Sequence, residues 1–311
     1  MPILGISAAA NIKSFLGPNV FAAIAGWIFN ASSTAATSTD GITWTQRTLP
    51  SSANWGAVTY GGGIFVTVSG SASANSAAYS TNGITWTAST LPSNQQWVGA
   101  AYGGGVFVAT SYYGTVAASS TNGITWTQRT MPLVASWFSV VYGGGVFAAL
   151  ARNSTIAATS TDGVTWTQRT LPSNVEWRSV AYGGGVFVAV AKQSFMNPMG
   201  TAVAASSTDG ITWTQRTMPS SKQWSAVAYG GGVFAAIAQN SLTAATSTNG
   251  ITWTARTLPT SSSWQSITYG NGVFVSLGFR STIALSSTDG ITWTQRTLPS
   301  SVDWFSVVYG G

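Results

Sequence analysis

The sequence predicts an all-β protein in which a unit of four short strands is repeated around a ring. A Ser-Thr-Asp/Asn-Gly-Ile/Val-Thr-Trp motif recurs seven times at intervals of 40 to 47 residues, and a second tryptophan follows each copy 11 residues later. A segment beginning Tyr-Gly comes five residues after each second tryptophan. Units of roughly 40 residues with many short strands are typical of a β-propeller, so we expect seven blades of four antiparallel strands.

The strands of one unit can be placed in chain order. Strand one is expected at 137–142 and strand two at 146–151, with a glycine turn between them. Strand three is expected at about 155–159. The dipeptide Asp162-Gly163 then marks a tight turn into strand four at 164–170, because glycine accepts the positive φ that such turns require.

The two ends of the chain predict how the ring closes. Residues 17–25 align with strand two of a later unit, 230–238, and the last unit stops after strand one at 304–311. Pairing that last strand with the N-terminal blade would complete a seventh blade and remove the open sheet edges. We therefore expect one domain at 17–311 after an N-terminal arm at 1–16, although the end of this arm resembles strand one and competes for the closing position.

Composition excludes several kinds of chemistry. Only 6% of residues are charged, and cysteine and histidine are absent, so disulfides, thiolate nucleophiles and imidazole bases are excluded. We expect no metal and no cofactor. The 12 basic residues are scattered singly along the sequence, whereas nucleic-acid binders usually cluster them, so nucleic acid is not expected as a partner. The apolar stretch at 15–31 is explained by the repeat as strand material, so no membrane is expected either.

The turn motif at 160–166, Ser-Thr-Asp-Gly-Val-Thr-Trp, resembles the Asp-box (BNR) repeat of sialidase-like propellers, with one residue fewer between Asp and Gly. The resemblance implies that the acid ties a structural turn and that the tryptophan packs between strands. Tandem repeats of this type also resemble those of bacteriophage tail and virion proteins. The turn positions are Asp40, Asn82, Asn122, Asp162, Asp209, Asn249 and Asp289.

Sialidase activity is not expected to accompany the resemblance. Such sites need a three-arginine clamp, a tyrosine paired with a glutamate, and an acidic proton donor. Outside the turns only Glu176 and Asp303 remain, in corresponding loops three blades apart. The two carboxylates of a glycosidase lie roughly 5 to 10 Å from each other. We therefore predict that the protein is not an enzyme and has no catalytic residues.

Sequence variation is concentrated in two sets of loops. The strand two-to-three loops change in length and the strand four-to-one loops change in residues, and both should emerge on one face of the disc. Loops on a rigid scaffold commonly carry recognition, although neutral drift would also produce such variation. The candidate ligand-binding residues are Lys192, Gln193, Phe195, Met196, Asn197 and Met199 of the longest loop, with Tyr112, Tyr113, Trp27, Glu176 and Arg178.

Two repeated features are expected to be structural. The 14 motif tryptophans should form the core between blades rather than platforms for sugars. One arginine position on strand four should line the rim and cover apolar surface with its aliphatic stem, although anion binding there is an alternative. These arginines are Arg47, Arg129, Arg169, Arg216, Arg256 and Arg296.

These observations favour a non-catalytic recognition protein of a virion or the extracellular space that binds host-surface glycans through its variable face. One alternative is a purely structural virion or tail component, docked to other virion proteins through the N-terminal arm and the repeated turns. A recently amplified or engineered repeat array without a ligand is another. A protein-binding hub would instead show a large apolar or charged patch.

Overall fold

A computed structural model describes residues 17–27, 30–193 and 200–311. The predicted arm at 1–16 lies outside these residues. Everything regular in the described chain is β-strand, and no helix there is long and apolar enough to cross a membrane. The strands of the described residues are β1 Val20–Ala25, β2 Ser32–Ser38, β3 Thr45–Ala53, β4 Trp55–Gly61, β5 Ile64–Ser69, β6 Ser76–Ser80, β7 Thr87–Thr90, β8 Trp97–Gly103, β9 Val106–Ser111, β10 Gly114–Ser120, β11 Thr127–Ala135, β12 Trp137–Gly143, β13 Val146–Ala151, β14 Ser154–Ser160, β15 Thr167–Val175, β16 Trp177–Gly183, β17 Val186–Ala191, β18 Thr201–Ser207, β19 Thr214–Lys222, β20 Trp224–Gly230, β21 Val233–Ala238, β22 Ser241–Ser247, β23 Thr254–Gly270, β24 Val273–Phe279, β25 Ser281–Ser287, β26 Thr294–Val302 and β27 Trp304–Gly310.

These strands form repeated antiparallel sheets, and we call each four-stranded unit a blade. Five sheets have four strands each, and a sixth has seven strands, in the order β20 to β26. In that larger sheet β23 runs without a break for 17 residues, so it serves as strand four of one blade and strand one of the next. The described chain therefore contains about seven blades.

Strand four begins later and ends later than the sequence predicts. In the unit analysed above it spans Thr167–Val175 rather than 164–170. The N–H groups of Val164 and Thr165 donate to Asp162 Oδ1 at 2.8 and 2.9 Å, so they are satisfied by the turn and not by a neighbouring strand. Strand four is also the outer edge of its sheet, where a proline such as Pro172 costs no ladder hydrogen bond.

One blade contains strands from both ends of the chain. The last strand, β27, pairs antiparallel with β1, which in turn pairs with β2. Phe21 lies opposite Tyr309, and their ring centroids are 4.9 Å apart. The other blades contain the same Tyr–Phe pair within one continuous stretch, as with Tyr182 and Phe187 at 4.6 Å. The pairing of the last strand with the N-terminal blade is thus as the sequence predicts.

The core lies between neighbouring blades. In one cluster, Ile24 and Leu49 of the first blade pack with Trp55 and Phe65 of the second. All seven tryptophans of the second series are fully buried: Trp55, Trp97, Trp137, Trp177, Trp224, Trp264 and Trp304. The first series is also buried, except that Trp253 is half-buried. The predicted inter-blade role of the tryptophans is confirmed.

A tyrosine from each blade lies flat against a glycine of the blade before it. The ring of Tyr182, for example, covers Gly143 so closely that a Cβ there would collide with the ring. Tyr182 packs in turn against Phe187 of its own blade. This interlock explains why the first glycine of the Tyr-Gly-Gly segment recurs in the repeat.

The strand-four arginines lie on the outer strand of six blades, and Ser89 takes the equivalent position in the remaining one. Each arginine is half-buried, and its Nε donates to a serine or threonine hydroxyl of strand three at 2.8 or 2.9 Å. The arginines therefore tie the edge strand to its neighbour.

Candidate functional site

Charged residues that are far apart in the sequence line one cavity of the structure. Four of the 12 basic residues line a single cavity of ≈ 330 Å³: Arg152, Arg178, Lys192 and Arg280. Its walls also contain Trp27, Gln239, Ser263, Gln265, Phe279 and Phe305. We call this cavity the mouth site. These four residues are scattered along the sequence and yet share one cavity, because sequence separation does not measure distance in a fold built from repeated blades.

The blade architecture brings these positions together. The residue after strand two donates its N–H to the carbonyl of the residue before the second tryptophan. This bond joins Lys192 to Glu176, Arg152 to Ser136, and Gln239 to Gln223, each at 2.8 Å. The ends of strand two and the starts of strand one are thereby fixed side by side around the mouth. The two sets of variable loops do emerge on one face.

An ion cluster occupies one side of the mouth site. Glu176 is buried and pairs with Arg152 through Oε1 and Nη2 at 2.7 Å. Arg178 is also buried, and its Nη1 is 3.9 Å from the same oxygen, which is longer than a hydrogen bond. The other end of the Arg178 guanidinium donates to Gln265 Oε1 at 3.2 Å.

Burial and mutual repulsion perturb the cations of this cluster. Burial, reinforced by the positive charge of Arg152, lowers the pKa of Arg178 to about 10. Burial, together with the charge of Arg178, also lowers the pKa of Lys192. A pKa of about 10 leaves Arg178 protonated near neutral pH. The site therefore holds positive charge at a cost in solvation.

Aromatic rings cross the mouth beside this cluster. Trp27 stacks on Phe305 at a centroid distance of 4.1 Å and meets Phe138 edge-on at 6.4 Å. The Arg178 guanidinium lies 4.3 Å from the Phe138 centroid, a cation–π distance. A second, smaller cavity of ≈ 150 Å³ is lined in part by Phe138, Arg178 and Phe305. Trp27 and Phe305 thus form part of the wall of the mouth site, and Phe305 and Arg178 line both cavities.

The second free carboxylate has an anchoring role. Asp303 accepts a hydrogen bond from Asn30 Nδ2 at 2.6 Å and contacts Arg280 Nε at 3.1 Å. Its carbonyl accepts the Gly26 N–H at 2.9 Å. These bonds fix both ends of the segment that carries Trp27. Glu176 and Asp303 therefore each hold an arginine of the mouth, on separate sides.

The remaining sequence candidates differ in what they can contact. Tyr112 is half-buried and its hydroxyl accepts a bond from Arg152 Nη1 at 3.0 Å, whereas Tyr113 is 69% exposed. Gln193 is buried and its Oε1 accepts the Gly200 N–H at 2.8 Å, so its side chain fixes the base of the longest loop. The candidates outside the described residues are Phe195, Met196, Asn197 and Met199.

The predicted turn residues occupy the opposite face. In the turn after β14, Ser160 Oγ donates to Asp162 Oδ1 at 2.9 Å, and the Gly163 N–H donates to Ser160 Oγ at 2.8 Å. The asparagine turns bond in the same way, as with Ser120 and Asn122 at 3.0 Å. Among the described residues, no group of three or more acidic side chains lies close enough to hold a metal ion.

Sequence reasoning missed eight residues of this region: Arg152, Gln239, Ser263, Gln265, Phe279, Arg280, Phe138 and Phe305. A signal for three of them was available in the position directly after the second tryptophan. This position carries six residue types in seven units although the tryptophan before it never changes, and it reads Gly56, Val98, Phe138, Arg178, Ser225, Gln265 and Phe305. All seven line the smaller cavity of ≈ 150 Å³. Variation is therefore not confined to loops, because the start of the innermost strand also faces the mouth.

Comparisons with known proteins bear on the fold. No protein-family model and no curated protein sequence matches this chain. Virginiamycin B lyase from Staphylococcus aureus superimposes with a TM-score of 0.69 at 13% identity, over 79% of this chain and 85% of that chain. YCF48 bound to D1 peptide gives a TM-score of 0.61 at 17% identity, over 80% and 82%. The computationally designed Ika8 protein gives 0.61 at 10% identity, over 93% and 95%.

The fold is a β-propeller. These comparisons also contradict the prediction that the protein is not an enzyme, because the structures that resemble it include lyases. A streptogramin B lyase superimposes with a TM-score of 0.68 at 15% identity, over 78% of this chain and 83% of that chain. The prediction considers only the residues that sialidases and two-carboxylate glycosidases need, and a lyase belongs to a different reaction class. The likeness itself shows the shared fold.

Proposed function

We propose that this propeller is a recognition module that binds glycans of a host surface at the mouth site. The observation that carries the proposal is the composition of that cavity, which combines aromatic faces with amides, a hydroxyl and cations from distant parts of the chain. Pockets that hold small molecules are roughly 300 to 1,000 Å³ and combine apolar walls with a few polar groups that fix orientation. The mouth site has this volume and this character.

A saccharide suits these walls because it presents both apolar ring faces and many hydroxyls. Trp27, Phe279 and Phe305 supply the apolar surface. Gln239 and Gln265 supply amides that both donate and accept hydrogen bonds. The Gln239 amide already donates to Ser263 Oγ at 2.8 Å, which fixes one of these polar groups in place before a ligand arrives.

We further propose a closed ring of seven blades of the Asp-box type in a virion or extracellular protein. Hydrogen bonds between innermost strands support the ring, since Ser306 Oγ of β27 accepts the N–H of Val58 in β4 at 3.2 Å. On its other side, Val307 of β27 donates to Ser266 Oγ of β23 at 3.2 Å. The repeated Ser-Asp turns support the Asp-box type, and the low charge and rigid scaffold suit an extracellular setting.

A purely structural role in a virion is the second candidate, and the opposite face favours it. One apolar side chain per turn is exposed there, at 38% to 44% of its surface. These residues are Ile42, Ile84, Ile124, Val164, Ile211, Ile251 and Ile291. A flat ring of such side chains would suit docking to another component of an assembly, with the N-terminal arm as a further attachment.

The test is binding of the purified protein to bacterial surface polysaccharides and to a panel of neutral and acidic oligosaccharides. We expect saturable binding that Trp27→Ala weakens about tenfold or more, because it removes the stacking wall. Ile211→Ala is the matched control, since it shortens an exposed apolar side chain on the opposite face. Absence of binding to every saccharide, or equal loss in both variants, would favour the structural role.

A further inference from the structure

The charges of the mouth site do not balance. Among the described residues, Arg152, Arg178 and Lys192 share a single carboxylate, Glu176. The remaining cation, Arg280, has its own partner in Asp303. Buried ions are ordinarily paired, because each unpaired charge loses several kcal/mol of hydration. An excess of cations in a cavity is therefore an unfavourable arrangement for the empty protein and a favourable one for an incoming anion.

The contacts show which cations are available. Glu176 is engaged by Arg152 at 2.7 Å, whereas its distance to Arg178 is 3.9 Å. Arg178 is nine-tenths buried and is held over Phe138 by a cation–π contact, with one hydrogen bond to Gln265. Its guanidinium is thus fixed at the wall of the cavity and lacks a close carboxylate partner within the described chain. A planar, immobilised guanidinium is well suited to bidentate contact with a carboxylate or phosphate.

We infer that the mouth site binds an oxyanion of its ligand, a sugar carboxylate or phosphate, with Arg178 and Lys192 as the anion-binding residues. This inference rests on the proposed function, whose ligand it narrows to acidic saccharides. The rings of Trp27 and Phe305 would contact the sugar next to the charged group. The lowered pKa values of Arg178 and Lys192 fit this role, since burial and then repulsion between the cations lower them and a bound anion would oppose both effects.

A single-stranded nucleic acid is also an anion with stackable bases, but the distribution of charge disfavours it. Proteins that bind such strands present a basic groove that follows many phosphates. Here the four cations line one cavity, and the six strand-four arginines are engaged on the outer edge strands. The site accommodates one anionic group and its immediate neighbours.

The experiment compares matched probes by calorimetric titration of the full chain. The pairs are trigalacturonate with its methyl ester, and glucose 6-phosphate with glucose; inorganic phosphate and a short oligouridylate complete the set. We expect at least one acidic saccharide to bind about tenfold or more tightly than its neutral partner. Arg178→Met should remove that preference, and Lys192→Met should reduce it. Arg169→Met is the matched control. It makes the same substitution at an arginine of strand four, outside the cavity, and should leave binding unchanged.

The other possible outcomes separate the anion site from the proposed glycan binding. Equal binding of acidic and neutral saccharides would overturn the inference and leave the proposed function standing. Binding of inorganic phosphate that depends on Arg178, without binding of any saccharide, would support the anion site and overturn the glycan function. Tighter binding of oligouridylate than of any saccharide, or no binding of any anion, would overturn the inference. A thermal melt of each variant checks folding, and Arg178→Lys, which keeps the charge, should retain part of the preference.

Discussion

The two faces of the propeller are made by the same strands, but residues repeat between blades on one face and vary on the other. On the turn face, each blade repeats one set of hydrogen bonds, in which a serine, an Asp or Asn and a glycine close the turn. At the mouth, the position directly after the second tryptophan carries arginine, glutamine, phenylalanine or glycine in different blades. The turn needs particular residues in order to form, whereas the mouth is already fixed by backbone bonds. Residues that the fold requires are therefore concentrated on one face, and the residues of the other face are free to vary.

The largest effect is expected where blades interlock. Gly143→Ala places a methyl group against the ring of Tyr182 and should lower the free energy of unfolding by about 3 kcal/mol, as overpacking does. Gly145→Ala, two residues further on, is the control, because open space surrounds it and its φ of 84° costs about 1 kcal/mol. Urea denaturation measures both. A loss in Gly143→Ala no larger than that in Gly145→Ala would contradict the predicted interlock with Tyr182.

A smaller effect is expected from one turn. Asp162→Ala removes the acceptor for Ser160 Oγ and for the N–H groups of Val164 and Thr165, and should cost about 1 to 2 kcal/mol. Asp162→Asn should be nearly neutral at pH 7, because Asn122 makes the same bonds in its own blade. Urea denaturation of the three proteins tests this order, and a large loss in the asparagine variant would contradict it.

The comparison of Asp162 with asparagine at the same position also predicts how stability depends on pH. Hydrogen bonds from the N–H groups of Thr165 and Val164 lower the pKa of Asp162 below its ordinary 3.8. The folded pKa is therefore depressed, so the stabilisation is present above the ordinary pKa and is lost as the pH falls towards the folded value. Asp162→Asn should lose less stability than the natural chain between neutral pH and about pH 2. An identical acid loss in both proteins would show that the charge of Asp162 contributes nothing.

The smallest effect on stability is expected at the mouth. Arg178→Met removes a buried cation and keeps an apolar stem over Phe138, while Glu176 keeps its pair with Arg152. The free energy of unfolding should stay the same or rise by up to about 1 kcal/mol, because a buried charge no longer has to be desolvated. Thermal denaturation measures this. A clear fall in stability would assign Arg178 a structural role and weaken the contrast between the two faces.

How much of this is readable from the sequence depends on the face. The turns, the buried tryptophans and the pairing of the chain ends can be predicted from the sequence, because the same motif residues recur in every unit. The mouth site is assembled from several blades, so the contact of Trp27 with Phe138 joins residues more than a hundred positions apart. A pattern within one unit cannot show which blades contribute to the same cavity. The variable position beside Trp137 and its equivalents is the available clue, since all seven of these residues line one cavity.

The blade that combines β27 with β1 and β2 has a consequence for how the protein is made. Its N-terminal strands leave the ribosome first, and their partner follows about 280 residues later. At roughly 5 to 20 residues per second, that interval lasts roughly 15 to 55 s. During this time β1 presents an unpaired edge that other nascent chains could join. The rate of translation and the crowding of ribosomes on one message should therefore influence the yield of folded protein.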